Sequence, residues 1–238
     1  MIQKQKILEI VKNNKKALIF GASGLVGTYC LNNLLASDTY KKVISFGRRK
    51  LPVVHSKLEQ HQIDFEDLKA AASLIKGDDL FICLGTTRGK AGKEGFIKVD
   101  FDFTFNAAKY AAINGVNQLI LVSSIGADKD SIFLYTKTKG RLEEAVKRLP
   151  FWSVHILQPS VLLGARDETR VGELIAGTMG KLIHHFSKGA LGNLTPIKAI
   201  TVAKAMINIA QGIEGGVKVY RSTDLMRMID DQQLIGRK

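Results

Sequence analysis

The chain has 238 residues, of which 45% are hydrophobic and 24% are charged, a composition typical of one globular domain with its own core. Its net charge is +13, but the basic residues are scattered without interleaved aromatic residues, so we expect no nucleic-acid partner. No stretch is apolar enough to span a bilayer or to form the core of a signal peptide, and we expect a soluble, cytoplasmic protein without stable membrane insertion.

Short apolar runs alternate with helical stretches, a pattern typical of βαβ units and a parallel sheet. The predicted strands cover residues 17–20, 42–46, 60–63, 79–84, 118–122 and 152–157, with helices over 24–36, 64–74, 95–114 and 135–148. Further along, residues 171–185, 201–211 and 225–234 are predicted to be helical, and 217–220 to form an added strand. The pattern predicts an α/β fold: a Rossmann-like, doubly wound parallel sheet in a single domain over residues 1–238.

A glycine-rich loop follows the first strand and opens the first helix. It reads Gly21-Ala22-Ser23-Gly24-Leu25-Val26-Gly27. Gly21 allows a tight turn, Gly24 allows the backbone to approach a pyrophosphate, and Gly27 allows close packing of helix and sheet. The pyrophosphate would lie on free N–H groups at the positive helix end. The loop predicts dinucleotide binding, with a purely structural glycine turn as the alternative.

The end of the second strand indicates which dinucleotide is bound. It carries Arg48 and Arg49 and no acidic residue that would accept hydrogen bonds from the ribose hydroxyls of NAD. Guanidinium groups form charge-assisted hydrogen bonds with a 2′-phosphate, which a carboxylate would repel. The sequence therefore favours NADPH over NADH, the alternative being a solvated basic turn.

A tyrosine and a lysine share one face of the predicted helix over residues 135–148. Tyr135 and Lys139 are four residues apart, and a nearby ammonium makes a phenol more acidic and hence useful for proton transfer. Ser123 and Ser124 end the fifth strand at the edge where Rossmann ligands bind. We expect Ser124 to orient a substrate oxygen and Ser123 to lie nearer the cofactor, although the register leaves their order open.

Three longer motifs carry a family resemblance. The most specific is C-L-G-T-T-R-G-K-A-G over residues 83–92, continuing into Val99-Asp100. The others are S-S-I-G-A-D-K over 123–129, and Pro159 with V-L-L over 161–163, followed by two arginines at 166 and 170. With these motifs the chain resembles the atypical branch of the short-chain dehydrogenase/reductase superfamily, and more narrowly the Tat-interactive oxidoreductase family. The resemblance covers residues 17 to about 170 and, more loosely, the remainder.

The resemblance implies further contacts with NADPH, after the fourth strand and beside the nicotinamide. Together with the residues above, the expected cofactor-binding set is Gly21, Ala22, Ser23, Gly24, Leu25, Val26, Gly27, Arg48, Arg49, Leu84, Gly85, Thr86, Ser123, Tyr135, Lys139, Leu162 and Arg170. The expected catalytic residues are Ser124, Tyr135 and Lys139, with Tyr135 as proton donor or acceptor. The chain departs from many relatives at Gln158, where they carry arginine.

These residues predict an NADPH-dependent oxidoreductase acting on a small carbonyl or alcohol substrate, with a cofactor-binding core over about 1–165 and a substrate-side part over about 166–238. One alternative is a non-catalytic NADP(H)-binding sensor with a regulatory protein partner, and a homodimer is also compatible with the sequence. A third class, acting on nucleotide-linked sugars, usually has a longer carboxyl-terminal region. His184 and His185 lack ligand partners, so no metal is expected, and Cys30 and Cys83 should be buried free thiols.

Overall fold

A computed structural model describes residues 13–164, 195–212 and 214–235. Its main sheet has seven parallel strands in the order β3-β2-β1-β4-β5-β6-β9. Their bounds are β1 Lys15–Phe20, β2 Tyr40–Gly47, β3 Leu58–Gln62, β4 Asp79–Ile82, β5 Gln118–Val122, β6 Ser153–Gln158 and β9 Gly216–Arg221. Two short strands, β7 Leu162–Leu163 and β8 Ile197–Lys198, form a separate parallel pair that no pattern in the sequence predicts. The Rossmann-like α/β prediction is confirmed.

Helices cover both faces of the sheet, which explains why its strands read as continuous apolar runs. The helices are α1 Leu25–Ala36, α2 Arg88–Ile97, α3 Thr104–Ile113, α4 Leu134–Val146, α5 Ala199–Gln211 and α6 Ser222–Ile235. Alternate residues of β1 enter different cores: Ile19 packs with α1, α5 and α6, whereas Leu18 packs with α3 and α4. The strand order reverses between β1 and β4, and Rossmann ligands bind at the carboxyl edge of this switch point.

The predicted helix over residues 64–74 is wrong. This segment forms turns and one short 3₁₀ helix, Ala72–Leu74. The Asp64 carboxylate accepts the amide hydrogen of Glu66 at 2.9 Å, and such local side-chain bonds favour turns over helix. Phe65 and Leu68 are nevertheless buried, in a core cluster that includes residues of the sheet.

The predicted helix over residues 95–114 is longer and is interrupted. It begins at Arg88, and a π-helical segment, Lys98–Phe103, separates α2 from α3. The Thr104 hydroxyl donates to the carbonyl of Val99 at 2.9 Å within this wider turn. Because a π turn changes which residues face inward, Asp100 is buried with only 1% of its surface exposed.

A closed polar cluster lies at the amino ends of the strands. Asp79, which begins β4, accepts hydrogen bonds from Lys15 Nζ at 3.1 Å, from the Tyr40 hydroxyl at 2.7 Å and from Gln118 Nε2 at 3.0 Å. Each of the three donors stands first in its own strand, and all four residues are buried. The cluster therefore joins β1, β2, β4 and β5 at the end of the sheet opposite the glycine loop.

Candidate functional site

The glycine loop forms a tight turn between β1 and α1. Gly21 has a φ angle of +83°, and a Cβ atom there would lie 2.6 Å from the carbonyl carbon and oxygen of Cys83. A Cβ at Gly27 would overlap the carbonyl oxygen of Gly21. Glycine is therefore required at both positions, for conformation at Gly21 and for close packing at each.

The amino end of α1 leaves room for an anion. Gly24 occupies the capping position without a side-chain cap, and the exposed residues Ser23, Gly24 and Leu25 line the turn. The amide hydrogens of an uncapped first turn have no partner four residues back, and the helix dipole is positive there. This cradle fits the pyrophosphate of a dinucleotide. Within the loop Ala22 and Val26 are buried and serve packing.

Arg48 and Arg49 follow β2 at the same edge of the sheet. Both are exposed, and neither forms an ion pair with any residue in the described ranges. The turn after β2 contains no carboxylate before Glu59. Two unpaired guanidinium groups beside the cradle are suited to binding a phosphate.

The tyrosine–lysine pair lies on the first two turns of α4. Lys139 is buried, and its Nζ contacts Asp100 Oδ1 at 2.7 Å. Asp100 Oδ2 in turn accepts the amide hydrogen of Thr86 at 2.8 Å. Burial lowers the pKa of Lys139, but the combined attraction of Asp100, Tyr135 and Glu143 outweighs it, so the pKa lies above the ordinary value. Tyr135 is half-buried and stacks on the buried ring of Phe96, with centroids 5.6 Å apart.

The two serines after β5 have different surroundings. The Ser123 hydroxyl donates to Glu143 Oε1 at 2.5 Å, and the same carboxylate accepts from Gln158 Nε2 at 3.0 Å. Ser124 makes only a long bond, at 3.3 Å, to the carbonyl of Ile125. The Ser123 hydroxyl is therefore engaged by α4, and Ser124 keeps the freer hydroxyl; the position of Ser123 nearer the cofactor stays a prediction.

Four of the remaining expected cofactor-binding residues lie near the site, and one lies outside the described part of the chain. Leu84, Gly85 and Thr86 follow β4, and a Cβ at Gly85 would lie 3.5 Å from Asp100 Oδ1. Leu162 lies on β7, two residues before Gly164, where a Cβ would overlap the Leu25 side chain. This contact brings β7 against the glycine loop. Arg170, like His184 and His185, lies outside the described residues.

Two buried carboxylates at this edge were missed from the sequence. Asp100 stands among phenylalanines and other apolar residues, four residues after Phe96, and a lone acid on a buried helix face is a signal of a paired charge. Glu143 follows Lys139 by four residues and Tyr135 by eight, and so continues their stripe on α4.

Comparison with known proteins gives the family. The chain matches the model of NAD(P)H-binding proteins over residues 21–210. It is 37% identical over 217 residues to protein HTATIP2 of Rattus norvegicus, covering 87% of this chain and 88% of the relative. The chain belongs to this NAD(P)H-binding family. It is also 38% identical over 210 residues to protein FMP52, mitochondrial, of Candida albicans, covering 84% of this chain and 90% of the relative.

Solved structures share the fold of this family member. MoeE5 in complex with UDP-glucuronic acid and NAD has a TM-score of 0.66 at 19% identity, covering 86% of this chain and 75% of MoeE5. The Bordetella bronchiseptica enzyme WbmH in complex with NAD⁺ has a TM-score of 0.67 at 16% identity, covering 92% of this chain and 80% of WbmH. The predicted resemblance and nicotinamide-binding fold are thereby confirmed, at the level of a Rossmann domain.

The expected cytoplasmic location is wrong. Curated fungal relatives of this family member, including those from Candida albicans, Scheffersomyces stipitis and Candida glabrata, carry names that designate mitochondrial proteins. They point to mitochondria instead. In the part of the chain that the structure describes, no helix has both the length and the hydropathy needed to cross a bilayer.

Proposed function

We propose that this family member is an NADPH-dependent oxidoreductase that interconverts a small carbonyl compound and the corresponding alcohol. The observation that carries the proposal is the chain of contacts from Thr86 through Asp100 to Lys139, four residues from Tyr135 on α4. A lysine with only 4% of its surface exposed is costly to keep charged without a partner. Its position four residues from a tyrosine, at the ligand-binding edge of the sheet, supports a role in proton transfer.

Each residue has a distinct part in the proposed reaction. Lys139, held as an ammonium by Asp100, stabilises the phenolate of Tyr135 and is available to the ribose hydroxyls of a bound nucleotide. Ser124 donates a hydrogen bond to the substrate oxygen, and Tyr135 delivers the proton to that oxygen during reduction. Bound NADPH would supply the hydride. The chain itself supplies the orientation of the substrate, the charge beside Tyr135 and the proton donor.

The choice of NADPH over NADH rests on Arg48 and Arg49. Their unpaired guanidinium groups favour the 2′-phosphate, whose charge is absent from NADH. We expect Arg48→Ala/Arg49→Ala to weaken NADPH binding about 10- to 100-fold, as two charge-assisted contacts would require, and to leave NADH binding within about twofold. Calorimetric titration of wild type and variant with both dinucleotides measures this. Equal losses for NADPH and NADH would contradict the assignment of the phosphate readers.

Turnover separates an enzyme from a binding protein. With a panel of aldehydes and ketones, we expect NADPH oxidation that falls about 10²- to 10⁴-fold in Tyr135→Phe, because general acid catalysis contributes this much. The matched control is Tyr110→Phe, a half-buried tyrosine on α3 outside the site, which should retain activity. If wild type and Tyr110→Phe bind NADPH tightly but turn over none of the substrates, the result would favour the sensor over the enzyme.

A further inference from the structure

The two cysteines of the chain pack in the same core cluster beneath the glycine loop. Cys30 lies on α1, six residues beyond Gly24, and is fully buried. Cys83 directly follows β4, is half-buried and packs against the core cluster that contains Cys30. Both are free thiols. They are 53 positions apart in the sequence. The fold therefore brings together two side chains that the proposed reaction does not use.

Both cysteines lie on backbone segments that form or contact the proposed cofactor cradle. The Cys83 amide donates to the carbonyl of Phe20 at 2.8 Å, and its own carbonyl group abuts Gly21 so closely that a Cβ there would lie 2.6 Å away. Cys30 stands on the helix whose amino end would bind the pyrophosphate. A displacement of either backbone segment therefore changes the separation between the glycine loop and the end of β4.

We propose that Cys30 and Cys83 are a redox-sensitive pair, and that their oxidation to a disulfide by hydrogen peroxide weakens dinucleotide binding. This proposal rests on the cofactor site of the proposed function and adds its regulation. The sulfur of Cys83 attacks the peroxide, the O–O bond breaks, and Cys83 becomes a sulfenic acid with release of water. The sulfur of Cys30 then attacks the sulfenic sulfur, the S–S bond forms and the S–O bond breaks. In sum, two thiols lose two electrons and two protons, and one peroxide molecule becomes two waters.

The surroundings assign the order of these steps. Burial raises the pKa of the Cys30 thiol well above its ordinary value, and its neighbour Cys83 raises it further. Cys30 is therefore unreactive toward peroxide from solvent, whereas half-buried Cys83 stands at the rim of the site. The Cys83 thiol also contacts the thioether of Met206 at 3.9 Å, and Met206 is fully buried. Cys83 is thus the cysteine that reacts with the peroxide, and Cys30 is the cysteine that attacks the resulting sulfenic acid.

Closing the disulfide requires the two sulfurs to come closer than a contact between thiols. The shift draws α1 toward Cys83 and disturbs the turn at Gly21, whose φ of +83° and close contacts leave no freedom to adapt. We therefore expect weaker NADPH binding in the oxidised protein. Bound NADPH should in turn slow the oxidation, because the same edge of the sheet would be covered.

The test treats the folded full chain with hydrogen peroxide, removes the peroxide, and then unfolds the protein in denaturant that contains an alkylating reagent, so that buried Cys30 is labelled whenever its thiol is free. Mass spectrometry should show two labels before oxidation, none after it, and two again after dithiothreitol. Calorimetry should show NADPH affinity falling about tenfold on oxidation, equivalent to about 1.4 kcal/mol, and recovering on reduction. Cys30→Ala is the matched control: its Cys83 should be trapped by a sulfenic-acid probe, and its NADPH affinity should not show this reversible fall.

The outcomes are distinguishable from failure of the proposed function. Two labelled thiols after peroxide, or an unchanged NADPH affinity in a protein shown by mass to be cross-linked, would overturn the redox pair. Cys83→Ala provides a second check, since Cys30 alone should resist peroxide. Failure of the reduced wild type to bind either dinucleotide would overturn the proposed function, whereas the mass measurement would still decide whether the disulfide forms.

Discussion

Two buried lysine–aspartate pairs stand at opposite ends of the parallel sheet. Lys15 and Asp79 lie at the amino ends of β1 and β4, with 3.1 Å between Nζ and Oδ2. Lys139 and Asp100 lie at the carboxyl edge, with 2.7 Å between Nζ and Oδ1. The side chains of all four residues are at most 7% exposed. By distance and burial alone, the two pairs would be assigned the same role.

The two lysine–aspartate pairs differ in the other groups that they contact. Asp79 receives two further side-chain donors, Tyr40 and Gln118, so the cluster is closed among the strands and serves to join them. Asp100 instead bonds a loop amide, and its lysine lies near Tyr135, whose hydroxyl has no hydrogen-bond partner among the described residues. Whether a buried ion pair has a structural or a functional role therefore depends on the groups around it, and in particular on whether a hydroxyl beside the pair is free to bind a ligand.

Removing Lys15 should produce the largest effect on stability. Lys15→Met leaves the Asp79 carboxylate buried without its cation, and breaking such a pair typically costs about 3–5 kcal/mol of unfolding free energy. NADPH affinity should stay within about twofold at a temperature where the variant is folded, because the cluster lies at the far end of the sheet. Chemical denaturation and calorimetry measure the two quantities. A loss of binding equal to the loss of stability would erase the distinction between the pairs.

The pH dependence of this variant provides its control. Burial raises the pKa of Asp79 even with Lys15 present, since desolvation outweighs the attraction of the lysine. A raised carboxyl pKa stabilises the fold below the unfolded pKa of about 3.9, and this contribution is lost as pH rises through the folded pKa. The cost of Lys15→Met should therefore shrink toward acid pH, and Lys15→Met/Asp79→Asn should recover much of the stability at neutral pH.

Breaking the second pair should affect the reaction more than the fold. Asp100→Asn keeps an oxygen to accept from Thr86 but removes the charge that holds Lys139 as an ammonium. We expect turnover to fall roughly 10- to 100-fold, less than for loss of the proton donor itself, with Asp100→Glu partly restoring it. Steady-state kinetics with a carbonyl substrate measures the change. Wild-type turnover in Asp100→Asn would show that the ion pair has no part in positioning.

A pH profile distinguishes positioning from simple loss of structure. In the wild type, Asp100 keeps the pKa of Lys139 above its ordinary value despite burial. Without that charge the effect of burial is opposed only by the weaker attractions of Tyr135 and Glu143, so the alkaline fall in kcat should move to lower pH in Asp100→Asn. The free energy of unfolding should also fall at alkaline pH. The stabilisation that comes from the raised pKa of Lys139 is present below the unfolded pKa of about 10.4 and is lost as pH rises through the folded pKa. An unmoved profile with lower activity would indicate general disruption.

The fold was predictable because its signals are local. Apolar runs predicted the seven strands of the main sheet to within two residues at each end, and the glycine spacing located the turn before α1. The failures have local causes as well. The carboxylates of Asp64 and Asp67 bond to nearby amides and replace a helix by turns, and β7 pairs with β8 across 33 intervening residues, which no periodicity reveals.

The candidate site was predictable only where residues are neighbours along the chain. Tyr135 and Lys139 share a helix face, so their spacing was sufficient. Asp100 depends on a π turn that reorients a helix, and the partnership of Glu143 with Ser123 depends on how α4 packs on β5. These contacts are set by tertiary packing, so no local spacing in the sequence predicts the hydrogen bond from Ser123 to α4.

Glu143 allows the smallest and sharpest test of the comparison, because it is a buried carboxylate without a lysine within ion-pair distance among the described residues. Burial raises its pKa, and the bonds from Ser123 and Gln158 only partly offset this. In Glu143→Gln the amide oxygen can still accept from Ser123, so unfolding free energy at pH 7 should lie within about 1 kcal/mol of wild type.

The sign of its pH dependence follows from the raised pKa. Wild type gains stability from the protonated carboxyl below the unfolded pKa of about 4.3 and loses it as pH rises through the folded pKa. The variant does not titrate at this position, so its stability relative to wild type should improve between acid and neutral pH. Denaturation at a series of pH values measures the difference. If the variant instead weakens as pH rises, the Glu143 carboxylate is stabilised by a cation, and it belongs with the two lysine-paired aspartates.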